Sequence, residues 1–194
     1  MGIQGDLFAD REPGGPPLPP GMALWPDFVT AEEEQDLAAA IDAAPLAPFR
    51  FHQWEGKRLT ASFGHGYDYA RGELLDAPAL PAWLRAFADR AAARAGLDPA
   101  SIVQGLAIRY DPGAGIGWHR DRPQFGTVLG LSLSSEVVMR LRRRLPKGFE
   151  RRAVTLPPRS LYRLEGEARW EWEHSILPVA ETRRSITLRT TRTR

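Results

Sequence analysis

The side chains with the clearest chemistry are two histidines and one aspartate. His119 and Asp121 are separated by a single residue, so in an extended segment both leave the backbone on the same side and can meet one ion. His174 ends the alternating run Trp170, Trp172, His174, which predicts a strand carrying two large rings and an imidazole on one face. The chain has no cysteine, which removes disulfides, thiolate catalysis and sulfur-ligated metal sites. Any bound metal therefore takes nitrogen and oxygen ligands. A His-x-Asp tripeptide alone is common by chance, and a lone histidine is more often a surface or hydrogen-bonded structural residue, so the metal reading needs a second signal.

That signal is Arg183 and Arg189, six positions apart and so on one face of a strand soon after His174. Two histidines and a carboxylate on one side of a metal leave the opposite positions open, as non-haem Fe(II) oxygenases require in order to admit a co-substrate and O2. Two guanidinium forks facing one cavity need anions, and each can make bidentate, charge-assisted hydrogen bonds to a carboxylate. 2-Oxoglutarate has two carboxylates, one near the metal and one remote. An arginine pair on a solvated edge strand is the plainer alternative for these two residues taken alone. The joint pattern of His-x-Asp, a later histidine and two same-face arginines favours the metal site.

These residues must be positioned by a strand-rich second half. From Ile102 onward short stretches alternate with period two, as in Leu106/Ile108/Tyr110 and Leu129/Leu131/Leu133, between glycine, proline or polar turns. Further strands are predicted around Val137 to Arg142, Arg152 to Leu156, Ser160 to Leu164, Ala168 to His174 and Ser185 to Thr191. Ahead of them, Thr30 and Glu33 form a capping-box signature, and Glu32, Glu33 and Glu34 suit the positive end of a helix dipole, so a helix is predicted from about Ala31 to Ala43. A second helix is predicted from about Pro78 to Ala95, apolar at Leu80, Trp83, Leu84 and Phe87 and stopped by Gly96. Helices first and many short strands afterwards indicate an α+β protein whose core is a β-sandwich or jelly roll.

A chain of 194 residues, 43% hydrophobic and 26% charged, fits one compact domain with a sizeable core. Residues 1–22, rich in proline and glycine, are predicted to form a flexible tail, and residues 23–194 a single domain. No apolar run approaches the roughly 20 residues needed to span a bilayer, and no basic segment followed by a hydrophobic stretch opens the chain. The expectation is a cytoplasmic monomer without membrane contact. The formal net charge is only +2, yet Arg140, Arg142, Arg143, Arg144, Lys147, Arg151, Arg152, Arg159 and Arg163 crowd one stretch. That stretch can track phosphates or be a solvated arginine-rich hairpin.

The segments RYDPGAGIGWHRD, ending at Asp121, then LSLSSEVVMRLRR, LPPRSLYRLEGEARWEWEHSI and RRSITLR resemble the AlkB family of 2-oxoglutarate dioxygenases, over most of residues 58 to 192. The resemblance implies a double-stranded β-helix (jelly-roll) core over about 102–194, braced by N-terminal helices, with a substrate-covering lid at about 50–72. It implies Fe(II), 2-oxoglutarate and O2 as cofactors. His119, Asp121 and His174 match the iron triad at the catalytic centre, and Tyr110, Arg183 and Arg189 match the 2-oxoglutarate contacts. SFGHGYDY falls where the lid lies, and its alternation puts Phe63, His65, Tyr67 and Tyr69 on one face. Such a face can stack an unpaired base or be an ordinary half-buried strand. Arg58 and Trp118 complete the candidate substrate contacts, with a core role as the alternative for Trp118 and for Trp172.

Two departures bear on substrate. Base-repairing members usually carry an acidic residue two places after the metal aspartate, where this chain has Pro123, and many carry an asparagine two places before the tyrosine, where it has Ile108. The first removes a group able to recognise the exocyclic amine of adenine or cytosine. SLSSEVVM is also closer to branches that hydroxylate tRNA wobble uridine or act on proteins than to the DNA-repair branch. The implied activity is oxidative demethylation of alkylated bases in single-stranded DNA or RNA, an oxidised N-methyl group leaving as formaldehyde. Hydroxylation of tRNA or of a protein side chain, where the alcohol stays on carbon, is the alternative. From another class, the chain reads as a non-catalytic module that binds single-stranded nucleic acid.

Overall fold

The computed structural model describes residues 17–51, 54–68, 73–76 and 78–192. In chain order its elements are β1 (Met22–Trp25), α1 (Ala31–Ala43), β2 (Ala47–Phe51), β3 (Trp54–Asp68), β4 (Glu73–Asp76) and α2 (Ala82–Arg94). There follow β5 (Ile102–Tyr110), β6 (Ile116–His119), β7 (Phe125–Leu133), β8 (Val137–Arg144), β9 (Phe149–Leu156), β10 (Leu161–Leu164), α3 (Gly166–Trp170), β11 (Trp172–Ile176) and β12 (Arg183–Thr191). A large antiparallel sheet has the order β1-β10-β7-β12-β5-β3-β2, with β4 on β3, and a small one the order β6-β11-β8-β9. From β5 onward the chain passes back and forth between the two sheets, which is the double-stranded β-helix.

Period-two alternation divides the large sheet's side chains between two cores. One face, with Phe63 of β3, Ala107 of β5, Leu129 and Leu131 of β7 and Ile186 and Leu188 of β12, packs on Ile41 of α1 and on Leu84, Phe87, Ala88 and Ala91 of α2. The other face, with Ile108 and Tyr110 of β5, Val128 of β7 and Tyr162 and Leu164 of β10, meets Met139 and Leu141 of β8, Val154 and Leu156 of β9, and Trp172 and Ile176 of β11. Each fully buried side chain of this size stabilises by roughly 1.5–3 kcal/mol, so both faces of the large sheet are strongly specified and its register cannot slip.

α1 starts where its cap predicts: Thr30 Oγ accepts from the Glu33 amide at 3.1 Å and Glu33 Oε2 accepts from the Thr30 amide at 2.9 Å. α2 begins only at Ala82, behind Pro81 as its N-cap. Its Leu84 lies so close to β5 that a Cβ on Gly105 would sit 2.6 Å from Leu84 Cδ2. No helix of the described residues is long and apolar enough to cross a membrane.

Two expectations change. Residues 1–16 of the expected tail lie outside the described residues, but 17–22 are tied down. Arg152 Nη1 donates to the carbonyls of Pro17 at 2.7 Å and Leu18 at 3.2 Å, and Met22 is already a buried residue of β1. The strand expected over Ala168 to His174 is instead α3 followed by β11. Gly166 turns the chain at φ 49°, the Ala168 amide donates to Pro20 O at 2.8 Å, and the amides of Arg169 and Glu171 make helical bonds to Glu165 and Glu167. Trp170 and Trp172 therefore do not share a face: Trp170 is exposed, whereas Trp172 is buried and donates to Glu167 Oε1 at 3.0 Å.

Candidate metal centre

β6 and β11 run antiparallel with His119 directly opposite His174, and Asp121 follows two residues after β6 ends. The imidazole centroids are 4.3 Å apart, His174 Nε2 lies 3.6 Å from Asp121 Oδ2, and one donor atom from each of the three residues falls within 4.8 Å of the others. His119 Nδ1 is 2.9 Å from the Gly117 carbonyl oxygen. A carbonyl can only accept, so Nδ1 carries the proton and Nε2 keeps its lone pair for an ion.

Burial, with His119 alongside, pushes His174 down to about 3 against the pull of Asp121. Burial likewise lowers His119. Burial opposes ionisation of Asp121, but the Arg189 guanidinium, then His174 and His119, outweigh it and hold the carboxyl well below the usual range. Near neutral pH the three groups are two neutral imidazoles and a carboxylate, a donor set ready for a divalent ion with no proton to displace.

The two arginines of β12 face the same cavity and have different partners. Arg189 donates to Asp121 Oδ1 from Nε at 2.7 Å and Nη2 at 2.5 Å, and from Nη1 to Gln104 Oε1 at 2.6 Å. Its anion is thus the candidate metal ligand itself. Arg183 stands opposite Tyr110 in the β12–β5 register, with Cζ 5.1 Å from that ring. It is 1% exposed, gives one long hydrogen bond from Nη2 to Ser132 Oγ at 3.3 Å, and its buried Nε has no partner among the described residues. Beside it lies Tyr162, whose hydroxyl burial pushes up. Gly130 makes room for that ring, since a Cβ there would lie 2.1 Å from Tyr162 Cζ.

The cavity, about 1260 Å³, is lined by Arg58, Thr60 and Ser62 of β3, alternate residues of β5 and β12, Trp118 to Pro123, and His174. The predicted residues His119, Asp121, His174, Tyr110, Arg183, Arg189, Arg58 and Trp118 all meet there. Phe63 does not. Because Arg58, Thr60 and Ser62 take the cavity face of β3, Phe63 points the other way, is buried, and packs edge-on against Trp83 at 6.4 Å. His65 is partly exposed and is not among the lining residues; its carbonyl accepts from Gln104 Nε2 at 2.7 Å. The Tyr67 side chain and all of Tyr69 fall outside the described residues, as do 52–53 and 69–72 of the expected lid.

Sequence reasoning missed Gln104, Ser132, Tyr162 and Arg169. Gln104 was legible in principle, since it shares the strand phase of Tyr110, whereas Ser132 and Tyr162 reach that face only through the β12–β7 and β10–β7 pairings. Arg169 was hidden by the misread strand. It is 3% exposed and donates to the carbonyls of Gly126 at 2.8 Å, Arg122 at 2.6 Å and Phe125 at 2.9 Å. It fastens the segment after Asp121 to α3, the element just before His174.

The model of the 2OG-Fe(II) oxygenase superfamily matches residues 21–194. The chain is 30% identical over 182 residues to "tRNA (carboxymethyluridine(34)-5-O)-methyltransferase alkbh8" of Xenopus tropicalis, covering 87% of this chain and 27% of that protein. It is 30% identical over 188 residues to "Alkylated DNA repair protein ALKBH8 homolog" of Arabidopsis thaliana, covering 81% and 51%. The chain therefore spans about a quarter to a half of these curated relatives. Among solved structures, OsALKBH1 superposes with a TM-score of 0.71 at 15% identity, covering 89% of this chain and 98% of that one. A Pseudomonas putida prolyl-4-hydroxylase superposes with a TM-score of 0.61 at 20% identity, covering 89% and 93%. Matching family, matching fold and a two-histidine, one-carboxylate cluster agree: the chain belongs to the 2OG-Fe(II) oxygenase superfamily, a family defined by Fe(II) and 2-oxoglutarate, and is similar in sequence to AlkB-type relatives.

Proposed function

We propose that His119, Asp121 and His174 hold the iron, that Arg183 and Tyr110 hold the remote carboxylate of 2-oxoglutarate, and that the substrate is a neutral modified base in single-stranded nucleic acid, tRNA foremost. The carrying observation is the meeting of three metal donors and a buried, under-bonded guanidinium on one cavity wall. The residues fit the groups. Two neutral nitrogens and one carboxylate oxygen suit Fe(II), and the partnerless Nε of Arg183 is a donor that a carboxylate satisfies. Bound iron supplies the chemistry, coupling decarboxylation of 2-oxoglutarate to O2 activation and oxidation of a substrate C–H bond.

The chain's own residues supply positioning. Arg189 binds Oδ1 of Asp121 and leaves Oδ2, the oxygen nearer His174, for the ion. Gln104 holds Arg189 in turn, and the Gly117 carbonyl sets the His119 tautomer. Ile108, Met139 and Trp118 make an apolar wall that limits water.

Charge favours a neutral base. Base-repair substrates alkylated at a ring nitrogen, such as 1-methyladenine, are cations. Both carboxylates lining this cavity are already paired, Asp121 with Arg189 and Glu173 with Arg142 at 2.6 Å, and Arg58 forms no ion pair among the described residues. Pro123 lies on the cavity wall where an acidic residue would have received an amine. The name of the Xenopus relative concerns a carboxymethyluridine of tRNA, and the uracil ring is neutral. Oxidation at a carbon substituent of such a ring leaves a stable alcohol, since no nitrogen is attached to the oxidised carbon for it to expel.

The test is aerobic incubation with Fe(II), 2-oxoglutarate and single-stranded oligonucleotides carrying modified uridines or 1-methyladenine, read by succinate yield and product mass. A gain of one oxygen on a uridine is expected, and Asp121→Ala should make no succinate. Full succinate formation by Asp121→Ala removes the assigned site; turnover of 1-methyladenine alone removes the assigned substrate.

A further inference from the structure

The small sheet puts different chemistry on its two sides. Strands β8 and β9 pair Arg142 with Arg151, Arg143 with Glu150 and Arg144 with Phe149, so alternate arginines go to opposite faces. On the inward side the arginines are saturated. Arg143 reaches Glu150 at 2.6 Å, Glu167 at 2.7 Å and Glu171 at 3.4 Å, and Arg152 reaches Glu150 at 2.9 Å as well as the carbonyls of Pro17 and Leu18. The basic stretch is therefore half internal, and the phosphate-tracking expectation fails for these two residues.

The outward side is the opposite case. Arg140 Nε donates to the neutral Ser175 Oγ at 3.1 Å, and Arg142 Nε to Glu173 at 2.6 Å. Arg140, Arg144 and Arg151 have no carboxylate partner among the described residues. Aromatic rings hold these cations instead of acids. Trp118 lies 5.0 Å from Arg140 Cζ and 4.5 Å from Arg142 Cζ, and Phe149 lies 4.6 Å from Arg142, 5.6 Å from Arg144 and 5.6 Å from Arg151. The ladder crosses from β6 to β9, three strand spacings or about 14 Å, and Trp118 at its inner end also lines the cavity.

We propose that this outward face is a docking strip for single-stranded nucleic acid, whose chain lies along the arginine and aromatic ladder and enters the cavity past Trp118. Guanidinium groups resting on rings keep their Nη hydrogens for phosphate oxygens, and ring and guanidinium faces stack unpaired bases without sequence preference. Three outward cations without a carboxylate partner among the described residues, Arg140, Arg144 and Arg151, beside a neutralised pair on the other face, are complementary to a polyanion. The strip rests on the nucleic-acid reading above only for where the chain leads.

The experiment measures binding of a fluorescein-labelled single-stranded RNA 12-mer by anisotropy across a salt series. The double variant Arg144→Glu/Arg151→Glu should bind at least tenfold more weakly. Its slope of log affinity against log salt should flatten by about 1.4, the value for two lost phosphate contacts on a single strand. Arg144→Lys/Arg151→Lys should keep most of the slope, and unchanged thermal melting shows the variants are folded. Equal affinity and slope in the glutamate variant overturn the strip. So does no binding by the wild type, or displacement of the RNA by a polyglutamate peptide at matched charge, which would mark an acidic protein as partner. Turnover with no strip effect removes only the strip, and a strip effect with no wild-type turnover removes only the assigned reaction.

Discussion

Replacing Arg183 with methionine separates a cofactor-binding arginine from a structural one. This guanidinium is 1% exposed and, among the described residues, has a single 3.3 Å hydrogen bond and an unpaired Nε. An unmet buried donor costs about 1–3 kcal/mol, and its contact with the Tyr110 ring returns up to about 2 kcal/mol. The two nearly cancel, so methionine should leave the melting temperature of the cofactor-free protein within about 3 °C, at about 2–4 °C per kcal/mol for a chain of this size. Binding of 2-oxoglutarate should behave very differently. Two charge-assisted hydrogen bonds at about 1.5–3 kcal/mol each are lost together, which raises Kd by about two to four decades. Anaerobic calorimetry with Mn(II) in place of iron reads this directly, and Arg183→Lys, which keeps charge without the fork, should fall between. A Kd within tenfold of wild type, or a melting temperature lowered by more than about 10 °C, would refute the assignment of this residue to the cofactor.

Gly130→Ala puts a methyl 2.1 Å from Tyr162 Cζ, well inside the 3.4 Å at which ordinary contact begins, and should cost about 1–3 kcal/mol; in a thermal-melt cycle with Tyr162→Ala the two losses should be clearly less than additive, and strict additivity would show that the ring is not what the methyl meets. The bidentate pair of Arg184 with Asp42, at 2.9 and 2.6 Å, ties β12 to α1, and the Arg184 hydrogen bond holds the Asp42 carboxyl below its ordinary value. Its stabilisation is fully present above the unfolded aspartate value of about 3.9 and lost as pH falls through the lower folded value. Arg184→Ala should therefore lower the melting temperature at about pH 7 and make little difference at the acid end, and an equal loss at both ends would contradict this account.

The parts legible in the sequence were those carried by local patterns. The Thr30–Glu33 cap set the start of α1, and short alternating stretches located the strands that bear Tyr110 and Arg189. His119 and Asp121 could be paired by spacing alone, whereas their meeting with His174 depends on the β6–β11 register, a non-local contact that the joint pattern with the arginine pair suggested and the family resemblance matched. Two failures have physical causes. Trp170 and Trp172 share the spacing of a strand, but three backbone carbonyls around a buried Arg169 hold that segment as a helical turn. Phe63 fits either face of β3 by alternation, and only packing against Trp83 decides which. Arg189 reads as a carboxylate clamp in sequence, and the carboxylate it clamps belongs to the chain.

Gln104 uses both ends of its amide: the oxygen accepts a hydrogen bond from Arg189 Nη1 at 2.6 Å, while the nitrogen donates to Ser62 Oγ at 3.2 Å and to the His65 carbonyl at 2.7 Å. An amide anchored this way cannot flip without breaking every one of those bonds. The strand at the cavity's rim and the aspartate at its floor are consequently geared together, through one glutamine and one arginine. A substitution at Gln104 would therefore release the rim strand and the Asp121 carboxylate in one stroke, because the same side chain restrains both.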